Sequence, residues 1–322
     1  MNEFPEAQSV DIGAAILSVH EAGKGPAIVL VHGWPEIAYS WKNQIGALAS
    51  AGYRVIAPDL KGFGRSSAPK DKALYDIRHL TDDLARLLDA LGLDRAIFCG
   101  HDWGGAIVWP MAQLHPSRVA GVIGVCTPHR APPPVPPLTI IRNRFGEKHY
   151  FIQFQEDAAV EALFASDVER FFRIMFRGPP SVPDMEKLGR RIFDLPGRFR
   201  DGPAPDASTT IVSDADLAVY IDAYHRSGFH GGVNLYRNID QNFAIMRGVD
   251  PVIRAPALWI GAEDDVFLPP AGADGMEKIV PDLQTAIIRD CGHWVMWERP
   301  RQLNEILLRW LTARFPTKPT TP

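Results

Sequence analysis

The run Cys99-Gly100-His101-Asp102-Trp103-Gly104-Gly105 sets a carboxylate between glycines, after an apolar stretch and ahead of a helical pattern. Arg95 to Cys99 reads as a buried strand and Ala106 to His115 as a helix. Glycine, any residue, acid, any residue, glycine at a strand-to-helix turn has the form of a nucleophile elbow with aspartate in place of serine. Gly100 and Gly104 leave room where β-carbons would collide. The start of the following helix favours an ionised Asp102. The plainer reading of the same residue is an aspartate N-cap in an ordinary loop. The acid narrows the chemistry. Serine attacking saturated carbon would leave an ether that water does not readily release. A carboxylate leaves an ester, which a second step hydrolyses at its carbonyl. An aspartate elbow therefore points to displacement at an epoxide or a carbon–halogen bond.

Two more groups stand in the matching order. Glu263-Asp264-Asp265 follows the apolar run Ala257 to Gly261, and Cys291-Gly292-His293-Trp294 follows Thr285 to Arg289. A lone histidine past a strand is most often a polar loop residue. Here nucleophile, acid and histidine each lie just beyond a predicted strand, where open α/β sheets place their active sites. Their order along the chain is that of the α/β-hydrolase arrangement.

These groups need a sheet to carry them. Ala14 to Glu21 reads as a first strand, Ala27 to Val31 as a central strand buried on both faces, and Tyr53 to Ala57 as the next. Ser40 to Ala51 and Thr81 to Leu91 read as helices between them, and Val119 to Val125 as a further strand. Alternating strands and helices predict a mostly parallel sheet with helices on both faces. The loop Pro58 to Ser67 is rich in glycine but lacks the spacing of a phosphate-cradling loop. Ala131 to Pro137 is too rich in proline for helix or central strand and marks a boundary. Beyond it the text is helical and aromatic to about Met246: Glu156 to Arg177 reads as helical, Pro179 to Pro205 as loop, and Asp214 to Arg226 as a helix capped by Ser213. The α/β alternation resumes after Pro251 and ends in a helix over Pro300 to Arg314, with Pro316 to Pro322 expected to be disordered. The expected division is a core over 1–131, a mainly helical inserted cap over 132–247, and the rest of the core over 248–322.

Composition excludes several classes. The 322 residues are 46% hydrophobic, enough for a full core, and 34 basic against 38 acidic residues leave no basic excess for nucleic acid or an anionic membrane. No apolar run approaches the ~20 residues a membrane span needs, and Met1 to Gly13 does not have the form of a signal peptide. Cys99, Cys126 and Cys291 lie in or beside apolar runs and read as core thiols of a reducing, cytoplasmic setting. Cys99-x-His101 and Cys291-x-His293 are too closely spaced for a usual structural zinc site, so no metal is expected.

From about Ala14 to Phe315 the chain resembles the epoxide hydrolases of the α/β-hydrolase fold. The resemblance rests on His32-Gly33-Trp34-Pro35, Gly100 to Gly105, His149-Tyr150 with Phe154-Gln155-Glu156, Asn234-Leu235-Tyr236-Arg237-Asn238, Ala262 to Asp265, and Cys291 to Trp294. It implies Asp102 as nucleophile, His293 as the base that activates water, and Asp265 as the acid orienting it, with Asp264 as the runner-up. It implies Tyr150 and Tyr236 as donors to the epoxide oxygen. The backbone of Trp34 and Trp103 would form the oxyanion hole, and the Trp34–Pro35 peptide would be cis. His32 and His101 would be hydrogen-bonded supports. Trp34, Trp103, Phe151 and Phe154 are expected to line the substrate site. The substrate would be a small, apolar epoxide, with water as the second reactant, no cofactor, and a monomer or homodimer as the assembly. The elbow is shared with haloalkane dehalogenases, for which Trp103 and Trp34 would be the halide donors, but a halide needs no acid and the tyrosine pair would be unexplained. A non-catalytic receptor of the same fold is the remaining alternative.

Overall fold

The computed structural model describes residues 4–155, 158–180 and 188–317. Among the described residues, eight strands form one sheet: β1 (Ala7–Asp11), β2 (Ile16–Ala22), β3 (Ala27–Val31), β4 (Arg54–Pro58), β5 (Ala96–His101), β6 (Val119–Val125), β7 (Ala257–Ala262) and β8 (Leu283–Ile288). Their spatial order is β1-β2-β4-β3-β5-β6-β7-β8. β1 and β2 pair antiparallel, as do β2 and β4, and the remaining pairs are parallel.

The central strands are buried on both faces because every residue has a core to enter. Val29 and Val31 of β3 and Phe98 of β5 point into one apolar cluster, while Ile28, Leu30, Ile97 and Cys99 point into the other. On the second face lie α1 (Lys42–Ser50) and the C-terminal helix Pro300–Arg314, through Ile45, Leu48, Leu303 and Leu307. On the first lie α2 (Ile77–Ala90) and α3 (Trp103–Leu114), through Leu80, Leu84, Leu88, Ile107 and Val108. The chain passes from β3 to β4 on one side and returns to β5 on the other. That reversal opens a crevice beyond the strand ends, between the residues after β3 and those after β5.

Among the described residues, every helix-rich segment between β6 and β7 belongs to one run from Pro137 to Met246. Its aromatic side chains, including Phe154, Phe164, Phe171, Phe172, Tyr220 and Tyr236, join the same apolar cluster as the sheet face. Trp34 is the hinge of that contact, with its ring 5.5 Å from Phe154, 5.6 Å from Phe171 and 5.3 Å from Tyr236. Gly231 and Gly232 allow the helix His230–Arg237 to lie directly on the core. A β-carbon at Gly231 would fall 2.4 Å from the Gly62 carbonyl oxygen, and one at Gly232 would fall 2.0 Å from the Trp34 ring.

Several expectations need correction. The N-terminal stretch contains a strand, β1, whose residues are mostly exposed at the sheet edge and so carry no hydrophobic period. The stretch read as helical through Arg177 is two helices, Ala159–Ala165 and Val168–Met175, because Asp167 caps the second through the Arg170 amide. The loop-rich stretch after Pro179 holds a 3₁₀ turn at Gly189–Phe193 and a helix at Leu195–Asp201, capped by Asp194. Ser213 does cap the helix Asp214–Ser227. Glu156 and most of the tail from Pro316 lie outside the described residues.

Candidate active site

Asp102 sits between β5 and α3 with φ 51 and ψ −119, a left-handed conformation that a side chain adopts only under local constraint. The constraint is visible. A β-carbon at Gly100 would lie 2.2 Å from the Gly104 carbonyl oxygen, and one at Gly104 would lie 2.0 Å from the Val31 carbonyl oxygen. The Thr127 hydroxyl donates to the Asp102 carbonyl oxygen at 2.7 Å and steadies the turn from the end of β6. Asp102 makes no capping bond to α3. Its Oδ1 instead accepts from the Trp34 amide at 2.8 Å, so the plain N-cap reading fails. Gly104→Ala is expected to destabilise the protein by about 3 kcal/mol through overpacking, read from the chemical-denaturation midpoint. An unchanged midpoint would show that the turn relaxes freely.

His293 and Asp265 complete a line with the nucleophile. His293 Nδ1 meets Asp265 Oδ2 at 2.7 Å, and Nε2 faces Asp102 Oδ2 at 3.6 Å. Asp264 and Glu263 make no contact with the imidazole: the Glu263 carboxylate accepts from the Asp290 amide. Asp265 Oδ1 accepts from the amides of Phe267 and Leu268, each at 2.9 Å. Burial disfavours charge on Asp265, but His293 and these amides outweigh it and hold the pKa down at about 2. Burial also disfavours charge on His293, yet the Asp265 carboxylate, and then Asp102, raise its pKa well above the ordinary imidazole value.

A second histidine–carboxylate pair lies behind the first. His101 Nδ1 is 2.8 Å from Glu36 Oε2, and Nε2 is 2.8 Å from the His293 carbonyl oxygen. Both neighbours are acceptors, so only the imidazolium satisfies both. Burial works against that charge, but Glu36 prevails and the pKa is pushed up to about 10. Glu36 also accepts from the Gly33 amide at 2.7 Å, tying the loop after β3 to the histidine loop. Sequence reasoning passed over Glu36. A carboxylate next to His32-Gly33-Trp34-Pro35 carries no signal of burial until the fold encloses it. His32 is neutral and supportive: burial lowers its pKa, and Nε2 accepts from the Leu60 amide at 2.9 Å. The Trp34–Pro35 peptide is cis.

Tyr150 and Tyr236 meet across the crevice, with ring centroids 5.5 Å apart. Their flanking motifs explain how. Gln155 Nε2 donates to the carbonyl oxygens of Phe151 and Tyr236, bridging the two segments. Arg237 donates to the Phe154 carbonyl oxygen and pairs with Glu161. Asn234 and Asn238 donate to the carbonyl oxygens of Lys70 and Lys72, which anchors the Tyr236 helix to the core. Burial raises the pKa of both phenols, and the Asp102 charge adds to it, so both are protonated donors near neutrality.

A cavity of about 30 Å³ is walled by Trp34, Asp102, Tyr150, Tyr236, His293 and Trp294, together with Met175, Arg198 and Phe267. The expected lining is corrected at three positions. Phe154 is fully buried behind the tyrosines, and Phe151 and Trp103 pack edge-on to Tyr236, 4.9 and 5.0 Å away, so they buttress the phenol rather than face the cavity. The Trp34 indole packs against Gly232, where a β-carbon would fall 2.2 Å from its Nε1, and that nitrogen is buried with no hydrogen-bond partner among the described residues.

Known proteins share this fold and much of this sequence. Residues 26–300 match the family model described as alpha/beta hydrolase fold. The chain is 38% identical to Epoxide hydrolase A of Mycobacterium tuberculosis, over 96% of this chain and 98% of that protein. It is 39% identical to Bifunctional epoxide hydrolase 2 of Sus scrofa over 90% of this chain, spanning about half (52%) of that longer protein. The crystal structure of Epoxide Hydrolase A from Mycobacterium thermoresistibile superposes with a TM-score of 0.86 at 36% identity, covering 96% of this chain and 98% of that one. The chain belongs to the epoxide hydrolases of the alpha/beta hydrolase fold.

Proposed function

We propose that the chain converts an epoxide and water to a vicinal diol in two steps carried by Asp102 and His293, without a cofactor. Asp102 Oδ1 is held by the Trp34 amide, which leaves Oδ2 to attack one epoxide carbon. As the new C–O bond forms, the ring C–O bond breaks, and the released alkoxide takes a proton from Tyr150 or Tyr236. His293 then takes a proton from water, whose oxygen attacks the ester carbonyl. Oδ1 becomes the oxyanion where a donor already waits, and the Trp103 amide at the first position of α3 supplies a second. Collapse breaks the bond between the ester carbonyl and the substrate oxygen, which leaves with the proton held by His293. The acid proton left on Asp102 passes to the phenolate, so the diol is released and both carboxylate and phenol are restored. Asp265 orients the imidazole and stabilises its charge.

The observation that carries this reading is the placement of Asp102 Oδ2 opposite His293 Nε2 in a cavity that two protonated phenols also wall. The inserted segment 132–247 would act as the cap, bringing both tyrosines over the nucleophile and excluding bulk water. The epoxide would have an apolar body, matching Met175, Phe267 and Trp294. A reducing cytoplasmic setting fits the free, buried cysteines, and the assembly would be a monomer or homodimer. No helix among the described residues is long and apolar enough to cross a membrane.

A single turnover of styrene oxide in ¹⁸O-water tests the mechanism. The diol should emerge unlabelled and Asp102 should gain the heavy oxygen, because water attacks the carbonyl and not the epoxide. Label in the diol from the first turnover would mean direct attack by water and would overturn the covalent route. Halide release from haloalkanes without diol formation from epoxides would favour the dehalogenase reading.

A further inference from the structure

The hydrogen bond between His293 Nδ1 and Asp265 fixes one edge of the imidazole, and by itself it lets the ring swing about that contact. The position of Nε2 therefore depends also on the backbone that bears the ring. One carboxylate ties that backbone on both sides of His293. Glu298 Oε2 accepts from the Gly292 amide at 2.8 Å, and Oε1 accepts from the Trp294 amide at 2.9 Å. The carboxylate lies flush against the loop: a β-carbon at Gly292 would fall 3.0 and 3.2 Å from its two oxygens. Between the two amides, the His293 carbonyl oxygen accepts from His101 and from the Val295 amide, the latter at 3.0 Å. The Cys291 carbonyl oxygen accepts from the Asp264 amide at 2.9 Å, which joins this loop to the acid loop.

A glutamate that reaches back to the start of its own helix is commonly a cap. Glu298 does close a helix, Val295–Glu298, and its bond to Trp294 has that form. Its bond to Gly292 does not, because Gly292 lies outside the helix and on the far side of His293. The charge is also kept against burial. Desolvation raises the Glu298 pKa, and the two amides, then His293 and Arg299, work against that rise. The nucleophile has separate supports. Asp102 is held by the Trp34 amide and the Thr127 hydroxyl, and no hydrogen bond among the described residues joins either to Glu298.

We propose that Glu298 is a positioning residue for the base. By clamping the amides of Gly292 and Trp294 it sets His293 Nε2 where it can deprotonate the water that attacks the ester. It then serves the second step of the reaction and not the first. This rests on the two-step reading given above.

Rapid-quench single turnovers of styrene oxide, read by mass spectrometry, give separate rate constants for formation and decay of the Asp102 ester. Glu298→Ala should slow ester decay by about 10- to 100-fold, the scale of a misplacement near 1 Å, while ester formation stays near the wild-type rate. Glu298→Gln should fall between the two, because its carbonyl oxygen accepts from one amide while its NH₂ group confronts the other. Leu84→Ala is the control for stability. It removes buried packing from α2, on the opposite face of the sheet from Val295. It should lower the denaturation midpoint and leave the ratio of decay to formation unchanged, because both rate constants are read on folded enzyme. If Glu298→Ala does not fold, Glu298→Gln carries the test. A wild-type ratio in the Glu298 variants, equal slowing of both steps, or the same change of ratio in Leu84→Ala would overturn the proposal. Failure of the two-step reading would look different: no ester would form even in His293→Gln.

Discussion

His293→Gln treated with styrene oxide is expected to accumulate an adduct with the mass of the whole epoxide, mapped to Asp102, while steady-state diol formation falls by about 10⁴-fold or more. The first step needs the ionised Asp102 and a phenol proton. His293 Nε2 stands 3.6 Å from Asp102 Oδ2, beyond a hydrogen bond, so losing the imidazole leaves the nucleophile and its Trp34 donor in place. The second step needs a base, and glutamine is not one. A variant that turns over without an adduct, or that shows no adduct while wild type makes diol, would remove His293 from the role given to it.

The electrostatics sharpen this expectation in the wild type. In the free enzyme the Asp265 and Asp102 carboxylates both raise the His293 pKa. Esterification neutralises Asp102 and withdraws one of those charges, so the imidazole becomes easier to deprotonate once a base is needed. The alkylation step requires Asp102 ionised and the hydrolytic step requires His293 neutral. Lowering the pH through the imidazole pKa of the ester form should therefore slow hydrolysis before it slows alkylation, and the ester should build up in acid. Rapid quench followed by mass spectrometry reads it. An ester level that stays flat or falls as the pH drops would contradict the assignment of the base.

What the chain declares in one dimension follows the range of the forces involved. The elbow was legible because Gly100 and Gly104 answer a local steric demand, and β3 because Ala27 to Val31 is apolar on both faces. The order of Asp102, the acid and His293 was legible because each follows its own strand. Asp265 could be preferred to Asp264 only through the family resemblance, since nothing local tells which acid will receive the Phe267 and Leu268 amides. The tyrosine pair likewise rested on resemblance. Tyr150 and Tyr236 meet through Gln155, Arg237, Asn234 and Asn238, whose partners are backbone carbonyls and a glutamate far away in sequence. Phe154 was misplaced for a related reason: an aromatic beside a tyrosine can face a substrate or a core, and Trp34, Phe164 and Tyr236 decide for the core. Glu36 depends wholly on what the fold encloses.

Replacing both phenols should stop the chemistry one step earlier than replacing the histidine. Tyr150→Phe with Tyr236→Phe is expected to lower the rate of ester formation by about 10³ to 10⁴-fold, at the upper end of general-acid contributions, with each single change costing far less because the partner remains. The alkoxide formed on ring opening is strongly basic, and apart from Asp102, His293 and Arg198 the cavity wall is apolar or aromatic. Without a donor its charge would develop unsolvated. The two hydroxyls suit the task because burial and the Asp102 charge keep them protonated. The ring-to-ring packing with Phe154, Phe151, Trp34 and Trp103 survives the loss of two oxygens, so the fold should hold. Single-turnover quenching then separates the two defects: the double phenylalanine variant should show neither ester nor diol, whereas His293→Gln shows ester alone. Near-normal ester formation in the double variant would mean that another group protonates the oxygen, and the paired tyrosines would be reduced to packing.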